Sequence, residues 1–452
     1  MRGRTGQDAV LPTLAESVRG FRATMRAPGV RIITSPTFRG RFRLRGDKSI
    51  SHRAAILGAL AEGETRIENF SSAADCASTL RCLAELGVDV GQRGDVVTLR
   101  GRGPEAWLSP AASLDAGNSG STLRMLAGAL AGRPFRSVLT GDASLRRRPV
   151  ERVAAPLRAM GAAAASTDGR PPLTIEGGPL EGIRWELPVP SAQVKTAVLL
   201  AGLQARGTTT VLEPMPSRDH TERLLPAFGS RVDRSGLAVS VVGGARLRAA
   251  TLTVPGDVSS AAFLIVAALI RPRSEVRIEG VSLNPGRTGF LDVLRAMGAR
   301  IETGLTESEP EPVGWIVAAS SRLRGTVVPP QAVPGLIDEV PALAVAAAHA
   351  EGTFAVSGAA ELRVKESDRI AALAEGLARM GVRVEERPDG LVIQGGAPLR
   401  GASVRVHDDH RIAMALSVAA LSAEGETEIE NAEIASVSFP DFFDLLEEGR
   451  RG

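Results

Sequence analysis

The stretch "KSISHRAAILGALAEG" (residues 48–63) begins with basic and hydroxyl side chains and continues as a run of small and branched apolar residues. Apolar residues on every face of the run predict a short helix that is buried on all sides. Its polar beginning predicts a helix N-terminus, where Ser49 or Ser51 caps the first turn and Lys48 and Arg53 reach toward an anion.

The same design recurs along the chain, and this recurrence decides the fold. Five further Ala-rich runs each start in a polar cluster: "GNSGSTLRMLAGALAG" (117–132), "SAQVKTAVLLAGL" (191–203), "GDVSSAAFLIVAALI" (256–270), "IDEVPALAVAAAHAEG" (337–352) and "DDHRIAMALSVAALSAEG" (408–425). The starts are about 70 residues apart, which is longer than the roughly 20–50 residues of common solenoid repeats.

A second signature alternates with the first, namely an amphipathic segment that ends in Leu-x-x-x-Gly and leads into a strand-like run. It occurs as "LAELGVDV" (83–90), "LRAMGAAA" (157–164), "LPAFGSRV" (225–232), "LRAMGARI" (294–301) and "LARMGVRV" (377–384), with "LLEEG" (445–449) as a sixth copy. A glycine just after a helix commonly adopts the left-handed conformation that ends the helix.

These two signatures predict an α/β (α+β) protein of six βαβαββ repeats, three in each of two domains. The Ala-rich helices would lie inside and the amphipathic helices outside, which gives an inside-out barrel. The N-termini of the six inner helices would then face one interdomain cleft. Their free N–H groups and partial positive charges would attract multiply anionic small molecules.

Composition narrows the function classes. The 452 residues exceed one ordinary core, and a net charge of +3 with 12 Phe, 3 Trp and no Tyr gives no case for nucleic-acid binding. The apolar runs are too short to span a membrane. Two cysteines, Cys76 and Cys82, predict no disulfide framework and a reducing cytoplasm. Residues 1–32 are Arg-rich without periodicity, and we expect a poorly ordered, functionally silent extension.

Each polar cluster also has an ordinary structural explanation. "GDKSISHR" is not a Walker A loop because Asp47 separates Gly46 from Lys48. "RVKESDRIA" (363–371) suits a surface ion-pair ladder, and "HDDHRIAM" (407–414) invites a metal interpretation. We disfavour a metal because the remaining histidines lie in no comparable acidic cluster. Six clusters at equivalent places in six repeats favour one shared site.

Taken together and in order, these motifs resemble the enolpyruvyl transferase family, and within it the 3-phosphoshikimate 1-carboxyvinyltransferases. The resemblance rests on "GDKSISHR", "GNSGST", "RRRP", "SAQVK", "RDHTE", "IDE", "RVKESDR" and "DDHRIAM…SFP", from about residue 33 to the C-terminus. "SAQVK" and "RDHTE" are more similar to the glyphosate-tolerant bacterial branch. The resemblance implies one domain at 46–255, and a second made of 33–45 plus 256–452.

The implied reaction moves the enolpyruvyl group of phosphoenolpyruvate to the 5-hydroxyl of shikimate 3-phosphate and releases phosphate, in chorismate and aromatic amino-acid biosynthesis. It implies no metal or organic cofactor, only small-molecule partners, and a cytoplasmic monomer. Asp338 would accept the hydroxyl proton with help from Lys48, and Glu366 would deliver and later remove a proton at the methylene carbon.

The resemblance also implies two sets of binding residues. Those for shikimate 3-phosphate are Lys48, Ser49, Arg53, Ser191, Ala192, Gln193, Asp338 and Lys365. Those for phosphoenolpyruvate are Lys48, Gly120, Arg148, Gln193, Arg369 and Arg411. Further candidates in the same motifs are Asn118, Arg218 and His410.

The chain departs from the family pattern near its C-terminus, where Val437 and Ser438 stand in place of a common lysine. Gly120 matches the glyphosate-sensitive residue, so we expect this chain to be a glyphosate target. The alternatives are a UDP-N-acetylglucosamine 1-carboxyvinyltransferase, which places a cysteine near the "RRRP" region, and a non-catalytic anion-binding protein on the same fold. This chain has no cysteine near "RRRP", which argues against the UDP-N-acetylglucosamine enzyme. A non-catalytic protein would be expected to have lost Asp338, Glu366 or Lys48, and all three are present.

Overall fold

The computed structural model describes residues 29–452. Most of the predicted N-terminal extension lies outside these residues, but its end does not. Val30–Ile33 form a strand that pairs antiparallel with Glu426–Glu430, and Ile32 is buried. The expectation that the extension runs to residue 32 is therefore wrong at its last residues, because Ile32 belongs to the core.

The strands are β1 (Val30–Ile33), β2 (Arg39–Arg43), β3 (Glu62–Glu68), β4 (Asp89–Arg93), β5 (Val96–Arg102), β6 (Leu114–Asp115), β7 (Arg136–Thr140), β8 (Ala163–Thr167), β9 (Arg170–Glu176), β10 (Arg184–Glu186), β11 (Thr208–Leu212), β12 (Val232–Ser235), β13 (Ala238–Val242), β14 (Thr251–Thr253), β15 (Glu275–Ser282), β16 (Arg300–Glu307), β17 (Val313–Ala319), β18 (Val327–Val328), β19 (Gly352–Val356), β20 (Arg383–Arg387), β21 (Gly390–Gly395), β22 (Ser403–Arg405) and β23 (Glu426–Glu430). The helices are α1 (Lys48–Leu60), α2 (Ala74–Glu85), α3 (Gly120–Ala131), α4 (Glu151–Ala159), α5 (Ala192–Gly202), α6 (His220–Leu224), α7 (Val258–Ile270), α8 (Gly289–Ala296), α9 (Val340–His349), α10 (Arg369–Arg379), α11 (His410–Ala420) and α12 (Phe442–Arg451).

The strands form six small sheets with one repeated pattern. In the sheet β6-β7-β9-β8, the first pair is parallel and the next two pairs are antiparallel. An inner helix connects the parallel pair, and an outer helix leads to the antiparallel hairpin. The other sheets are β14-β3-β5-β4, β10-β11-β13-β12, β2-β15-β17-β16, β18-β19-β21-β20 and β22-β23-β1.

Two connections exchange strands between the halves of the chain. β2 precedes α1 but pairs with β15, while β14 precedes α7 but pairs with β3. The chain therefore crosses between the halves just before each of these two helices. At the crossing, Gly46 and Gly256 form an isolated antiparallel bridge.

The inner helices are α1, α3, α5, α7, α9 and α11, and nearly all of their residues are buried. Small residues allow them to pack closely. A Cβ on Gly128 of α3 would lie 2.0 Å from the carbonyl oxygen of Ala197 on α5, so only glycine fits at this crossing. The Ala-rich composition that identified these helices is thus also what their packing needs.

The outer segments end as the second signature predicts, with one exception. The glycines of the first five copies, Gly87, Gly161, Gly229, Gly298 and Gly381, all have positive φ angles. In the sixth copy, Gly449 lies inside α12 instead, and glycine is needed there because a Cβ would lie 2.4 Å from the ring of Phe38. Among the described residues, the last unit is also the only one whose sheet has three strands instead of four, and one of these strands, β1, comes from the other end of the described chain.

Buried apolar side chains form two cores. One runs from Ile50 to Val254, and the other combines Ile32 to Leu44 with Val258 to Leu446. The fold is therefore the predicted two-domain, inside-out arrangement of six repeats, with sheets outside and helices within. Among residues 29–452, no helix has the length and apolar character needed to cross a membrane.

Candidate active site

A cavity of about 480 Å³ lies between the two cores. All six inner helices contribute residues from their N-terminal ends to its wall. These residues are Lys48, Ser49, Gly120, Ser121, Ser191, Ala192, Gln193, Asp257, Ile337, Asp338, His410 and Arg411. The convergence predicted from the repeats therefore exists, and the helix ends make the cavity favourable for anions.

The inner helices are capped mainly by the residue just before them. Asp47 caps α1 by accepting from the N–H of Ile50 at 3.0 Å, so the predicted caps Ser49 and Ser51 are wrong. Ser49 is left to line the cavity, and the hydroxyl of Ser51 accepts from the N–H of Ser71. Capping by the preceding carboxylate keeps the first helical side chains free for ligands.

Lys48 forms an ion pair with Asp75 of α2, with 2.9 Å between Nζ and Oδ2. Burial lowers the pKa of Lys48, but the carboxylates of Asp75 and Glu366 together outweigh burial and the net pKa is raised above 10.5. Lys48 is therefore protonated at neutral pH and acts as a cation rather than as a base.

Two arginines lie next to Gly120 in the part of the cavity wall formed by the first half of the chain. Arg124 donates from Nη1 to Oε1 of Gln193 at 2.8 Å. Burial, with the charges of Arg152 and Arg148, lowers the pKa of Arg124 to about 9. A Cβ on Gly120 would lie 2.6 Å from Nη1 of Arg124 and 3.7 Å from Nη1 of Arg148. Residue 120 therefore sets how closely a ligand approaches these guanidinium groups.

Two arginines reach across the cleft to carboxylates of the second half. Nη1 of Arg148 lies 3.4 Å from Oε1 of Glu366, and Nη2 of Arg152 lies 2.9 Å from Oε1 of Glu361. Within residues 29–452, the buried Nε atoms of both arginines have no hydrogen-bond partner. Each of these guanidinium groups therefore keeps one buried N–H without a partner among the described residues.

Asp338 is the most strongly compensated carboxylate of the site. Its Oδ2 lies 2.5 Å from Nη2 of Arg218, and its Oδ1 lies 3.3 Å from Nη1 of Arg369 and 3.6 Å from Nζ of Lys365. Burial raises its pKa, but these cations together with Arg411 outweigh burial and hold the pKa well below 3.8. Asp338 is therefore ionised at neutral pH.

Glu366 shares Arg369 with Asp338. Nη2 of Arg369 donates to Oε2 of Glu366 at 2.5 Å. Burial raises the pKa of Glu366, but Arg369 and Arg148 outweigh it and the pKa lies well below 4.5. Arg369 is 1% exposed and α10 begins only at this residue, so the surface ion-pair ladder considered from the sequence is wrong.

The "HDDHRIAM" motif divides between surface and cavity. His407 lies outside the cavity, where its Nε2 is 2.8 Å from a carboxylate oxygen of Glu375. His410 lines the cavity, and burial lowers its pKa to about 4, so its imidazole is neutral at pH 7. Arg411 donates from Nη1 to the carbonyl oxygen of Asp338 at 2.8 Å. Residues 29–452 contain no group of three or more potential His, Cys, Asp or Glu metal ligands.

Two predicted residues do not line the cavity. The guanidinium of Arg53 is buried, where Nε donates to the hydroxyls of Thr196 and Thr221 and the other nitrogens bond the carbonyls of Ser49 and Ala192. Oδ1 of Asn118 accepts from Nη2 of Arg148 at 2.7 Å. Both therefore hold lining residues in place instead of facing the cavity. The remaining predicted site residues all line it.

The sequence alone missed several lining residues, among them Asp75, Arg124, Arg152, Ser217, Asp257, Arg287 and Glu361. They lie in five different repeats. Arg124 and Asp257 fall within Ala-rich runs quoted above, but nothing in those runs marks them as cavity residues. Val437 and Ser438, which replace the family's common lysine, do not line the cavity. Cys76 and Cys82 do not line it either, and burial raises the pKa of both thiols, that of Cys82 to about 12.

The charges of the cavity wall indicate its ligand class. Nine basic side chains line the cavity against five carboxylates. Such an excess in a partly enclosed site favours ligands with several negative charges, such as phosphates that also carry a carboxylate. Arg369 binds three carboxylates, and the two that line the cavity, Asp338 and Glu366, are able to move protons next to such a ligand.

Comparison with known proteins gives a consistent result. The family model for EPSP synthase (3-phosphoshikimate 1-carboxyvinyltransferase) matches residues 33–446. A 3-phosphoshikimate 1-carboxyvinyltransferase of Pelotomaculum thermopropionicum is 54% identical over 415 residues, 90% of this chain and 96% of that protein. Another, of Brevibacillus brevis, is 49% identical over 424 residues, 92% of this chain and 99% of that protein.

Solved structures agree with the sequence matches. EPSP synthase of Acinetobacter baumannii superposes with a TM-score of 0.83 at 44% identity, covering 93% of this chain and 97% of the other. The enolpyruvyl transferase NikO of Streptomyces tendae superposes with a TM-score of 0.76 at 20% identity, covering 94% and 98%. At that identity the second likeness concerns the fold alone.

Proposed function

The chain belongs to the EPSP synthase family, and we propose that its interdomain cavity binds phosphoenolpyruvate and shikimate 3-phosphate and joins them with the residues described above. It is a transferase of the shikimate pathway: it transfers the enolpyruvyl group of phosphoenolpyruvate to the 5-hydroxyl of shikimate 3-phosphate and releases phosphate. The observation that carries the assignment of roles is the pair of carboxylates, Asp338 and Glu366, held by one guanidinium in a strongly basic cavity.

Shikimate 3-phosphate occupies the side of the cavity formed by α1, α5 and the segment before α10. Ser49, Ser191, Ala192 and Gln193 offer hydrogen bonds there, and Lys48 and Lys365 supply charge. Arg218 is also assigned to shikimate 3-phosphate binding, because it lines the cavity next to Asp338, with which it forms an ion pair. Arg53 contributes from behind by holding the backbone of Ser49 and Ala192.

Phosphoenolpyruvate binds between Gly120 and the cations around it, namely Lys48, Arg148, Arg369 and Arg411, with Gln193. Its phosphate and carboxylate suit the bidentate geometry of guanidinium groups. Asn118 fixes Arg148, and His410 adds a neutral imidazole to the wall. Arg124 and Arg152 add further positive charge to the cavity wall.

Asp338 is the base for the 5-hydroxyl. It is ionised in the free enzyme, and the phosphate of the bound substrate draws Arg218 and Lys365 toward itself, which raises the proton affinity of the carboxylate. Lys48 assists as a cation, because its pKa is raised by Asp75. The hydroxyl oxygen then attacks C2 of phosphoenolpyruvate as Asp338 takes the proton.

Glu366 protonates C3 in the same step and gives a tetrahedral intermediate. It then removes a proton from the new methyl group as the C2–O bond to phosphate breaks, so the double bond returns and Glu366 is again protonated. The leaving phosphate takes up the proton that Asp338 had accepted, which returns Asp338 to its ionised state. In the free enzyme Arg369 and Arg148 keep Glu366 ionised. Phosphoenolpyruvate competes for these two arginines, and this competition allows the carboxyl group to hold its proton when the substrate is bound.

We further propose that the two domains meet near residues 45–46 and 255–256, with 46–255 as one domain and 33–45 plus 256–452 as the other. The change of core at both crossings supports this division. Both walls of the cavity come from one chain, which supports a monomer. Two free, buried cysteines suit a reducing cytoplasm. We also propose that glyphosate inhibits the enzyme, because Gly120 leaves space beside Arg124 and Arg148.

The test is phosphate release from the purified protein with phosphoenolpyruvate and either shikimate 3-phosphate or UDP-N-acetylglucosamine as acceptor. We expect release with shikimate 3-phosphate alone. Release with the nucleotide sugar alone would assign the chain to the sister enzyme, although neither cysteine lines the cavity. Absence of release with both acceptors would leave an anion-binding protein.

A further inference from the structure

Arg287 lies in the loop between β15 and α8 and bridges the two chain crossings. Its Nη1 donates to Oδ2 of Asp47 at 2.7 Å, and its Nη2 lies 3.3 Å from Oδ1 of Asp257. Asp47 precedes α1 of the first half and Asp257 precedes α7 of the second. One guanidinium, 2% exposed, therefore holds the caps of the two helices that follow the crossings.

These two carboxylates fix the backbone at Lys48. Asp47 accepts from the N–H of Ile50 at 3.0 Å, and Oδ2 of Asp257 accepts from the N–H of Lys48 itself at 3.2 Å. The start of α1, which carries Lys48 into the cavity, is thus bonded on both sides to groups that Arg287 holds.

A second branch of the network leads to Asp338. Nη2 of Arg287 also donates to Oγ of Ser259 at 2.6 Å, and Ser259 in turn donates to Oε1 of Glu339. Glu339 is fully buried and directly follows Asp338 in the chain. From the first half, Nε2 of His220 approaches Nη1 of Arg287 at 3.4 Å. The network therefore touches the segments that carry Lys48 and Asp338, the two groups proposed to act on the attacking hydroxyl.

Stability alone is a poor reason for such a network. Buried ion pairs can often be replaced by apolar side chains without loss of stability, because desolvation offsets their attraction. The Nε of Arg287 moreover has no partner within residues 29–452. What an arginine provides here, and a lysine or an apolar residue does not, is a rigid fork that bonds three groups in fixed directions.

We propose that Arg287 is a positioning residue that sets Lys48 and Asp338 relative to each other across the two crossings. The inference rests on the proposed roles of these two residues. Displacements well below 1 Å are enough to matter, since a misplacement of about 1 Å costs on the order of a hundredfold in rate. Because the other direct substrate contacts stay in place, the effect should fall mainly on kcat and much less on binding.

The test compares Arg287→Lys and Ser259→Ala with the wild type in steady-state and single-turnover assays with both substrates. Arg287→Lys keeps the charge but cannot bond Asp47, Asp257 and Ser259 together. Ser259→Ala removes only the branch to Glu339. The matched control is Arg133→Lys, which removes a similarly buried guanidinium at the opposite end of the inner helices, where Nε donates to Gln204.

We expect kcat to fall about 10–100-fold in Arg287→Lys and several-fold in Ser259→Ala, with each KM within about threefold of wild type. Arg133→Lys should lower only the melting temperature. Values of kcat within twofold of wild type for the folded fraction of both variants would overturn the proposal, as would a raised KM with unchanged kcat. If Arg287→Lys does not fold, Ser259→Ala decides alone. An inactive wild type would instead refute the proposed function, so the two failures are distinguishable.

Discussion

Replacing Glu366 with glutamine tests the proposed conflict between this side chain and phosphoenolpyruvate. The substitution keeps the shape of the group but removes its charge and its ability to exchange a proton. We expect kcat to fall by about 10²–10⁴, the usual contribution of a general acid or base. The complex of Glu366→Gln with shikimate 3-phosphate should also bind phosphoenolpyruvate more tightly than the corresponding wild-type complex does.

The size of the second effect follows from the contacts of Glu366. Its carboxylate occupies one donor of Arg369 at 2.5 Å and approaches one of Arg148 at 3.4 Å. A hydrogen bond to a charged group contributes about 1.5–3 kcal/mol, and only the bond to Arg369 is short. If half of that contribution opposes ligand binding, its removal amounts to about 1 kcal/mol, or a five- to tenfold lower Kd.

Glu361→Gln is the matched control, because Glu361 lines the same cavity and also pairs with an arginine across the cleft. The proposed mechanism gives Glu361 no role in proton transfer and does not place it next to the reacting atoms. Isothermal titration of phosphoenolpyruvate into each variant with shikimate 3-phosphate bound, together with rapid-quench measurement of turnover, gives both quantities. A Glu366→Gln enzyme with near wild-type kcat, or with weaker phosphoenolpyruvate binding, would refute the reasoning.

Three further predictions follow from the same geometry. Asp338→Asn should lower kcat about 10²–10⁴-fold without weakening shikimate 3-phosphate binding, as phosphate release and titration would measure. The pKa of Asp338 in the folded protein is depressed below 3.8, so the stability that its charge contributes is present above that pH and is lost below it. Thermal melts of the wild type and the variant should therefore converge as the pH falls below about 4. Gly120→Ala should raise the glyphosate concentration for half inhibition and the KM for phosphoenolpyruvate, because a Cβ displaces Nη1 of Arg124; equal inhibition of both enzymes would contradict this. Lys195→Met should cost about 3–5 kcal/mol in urea unfolding while the folded fraction keeps its kcat, because it leaves Glu213 and Glu222 buried without their common cation, and an unchanged unfolding midpoint would contradict it.

The fold was largely predictable because its signals are local. Burial of the inner helices follows from apolar residues on all faces, and the outer helices end at glycines with positive φ. Gly449 differs because α12 continues past it to Arg451, and this glycine instead allows close packing against Phe38, which is far away in the sequence. The cap of α1 was assigned to the wrong residue because aspartate and serine are both good caps. Only the structure shows that the helix begins at Lys48, which makes Asp47 the cap and places Ser49 inside the helix.

The site was predictable where a motif carries its own chemistry and not where partners come from other repeats. The sequence near Lys48 does not predict its ion pair with Asp75. The sequence "NPGR" (284–287) does not predict that Arg287 contacts the capping residues of two helices. The motifs "SAQVK" and "RDHTE" stood out separately, yet the buried pair of Lys195 and Glu222 that joins them could be found only in three dimensions. Long-range ion pairs leave no periodic trace in a single sequence.

The most direct test of the mechanism is the reaction in D₂O, with the product analysed by mass spectrometry and ³¹P NMR. If Glu366 delivers a solvent-exchangeable proton to C3 and later removes one, the vinyl carbon of the product gains deuterium while one phosphate is released for each product formed. Glu366→Gln should then form neither labelled product nor phosphate at a comparable rate. A product that forms at full rate without deuterium would contradict protonation at C3 and the role of Glu366 with it.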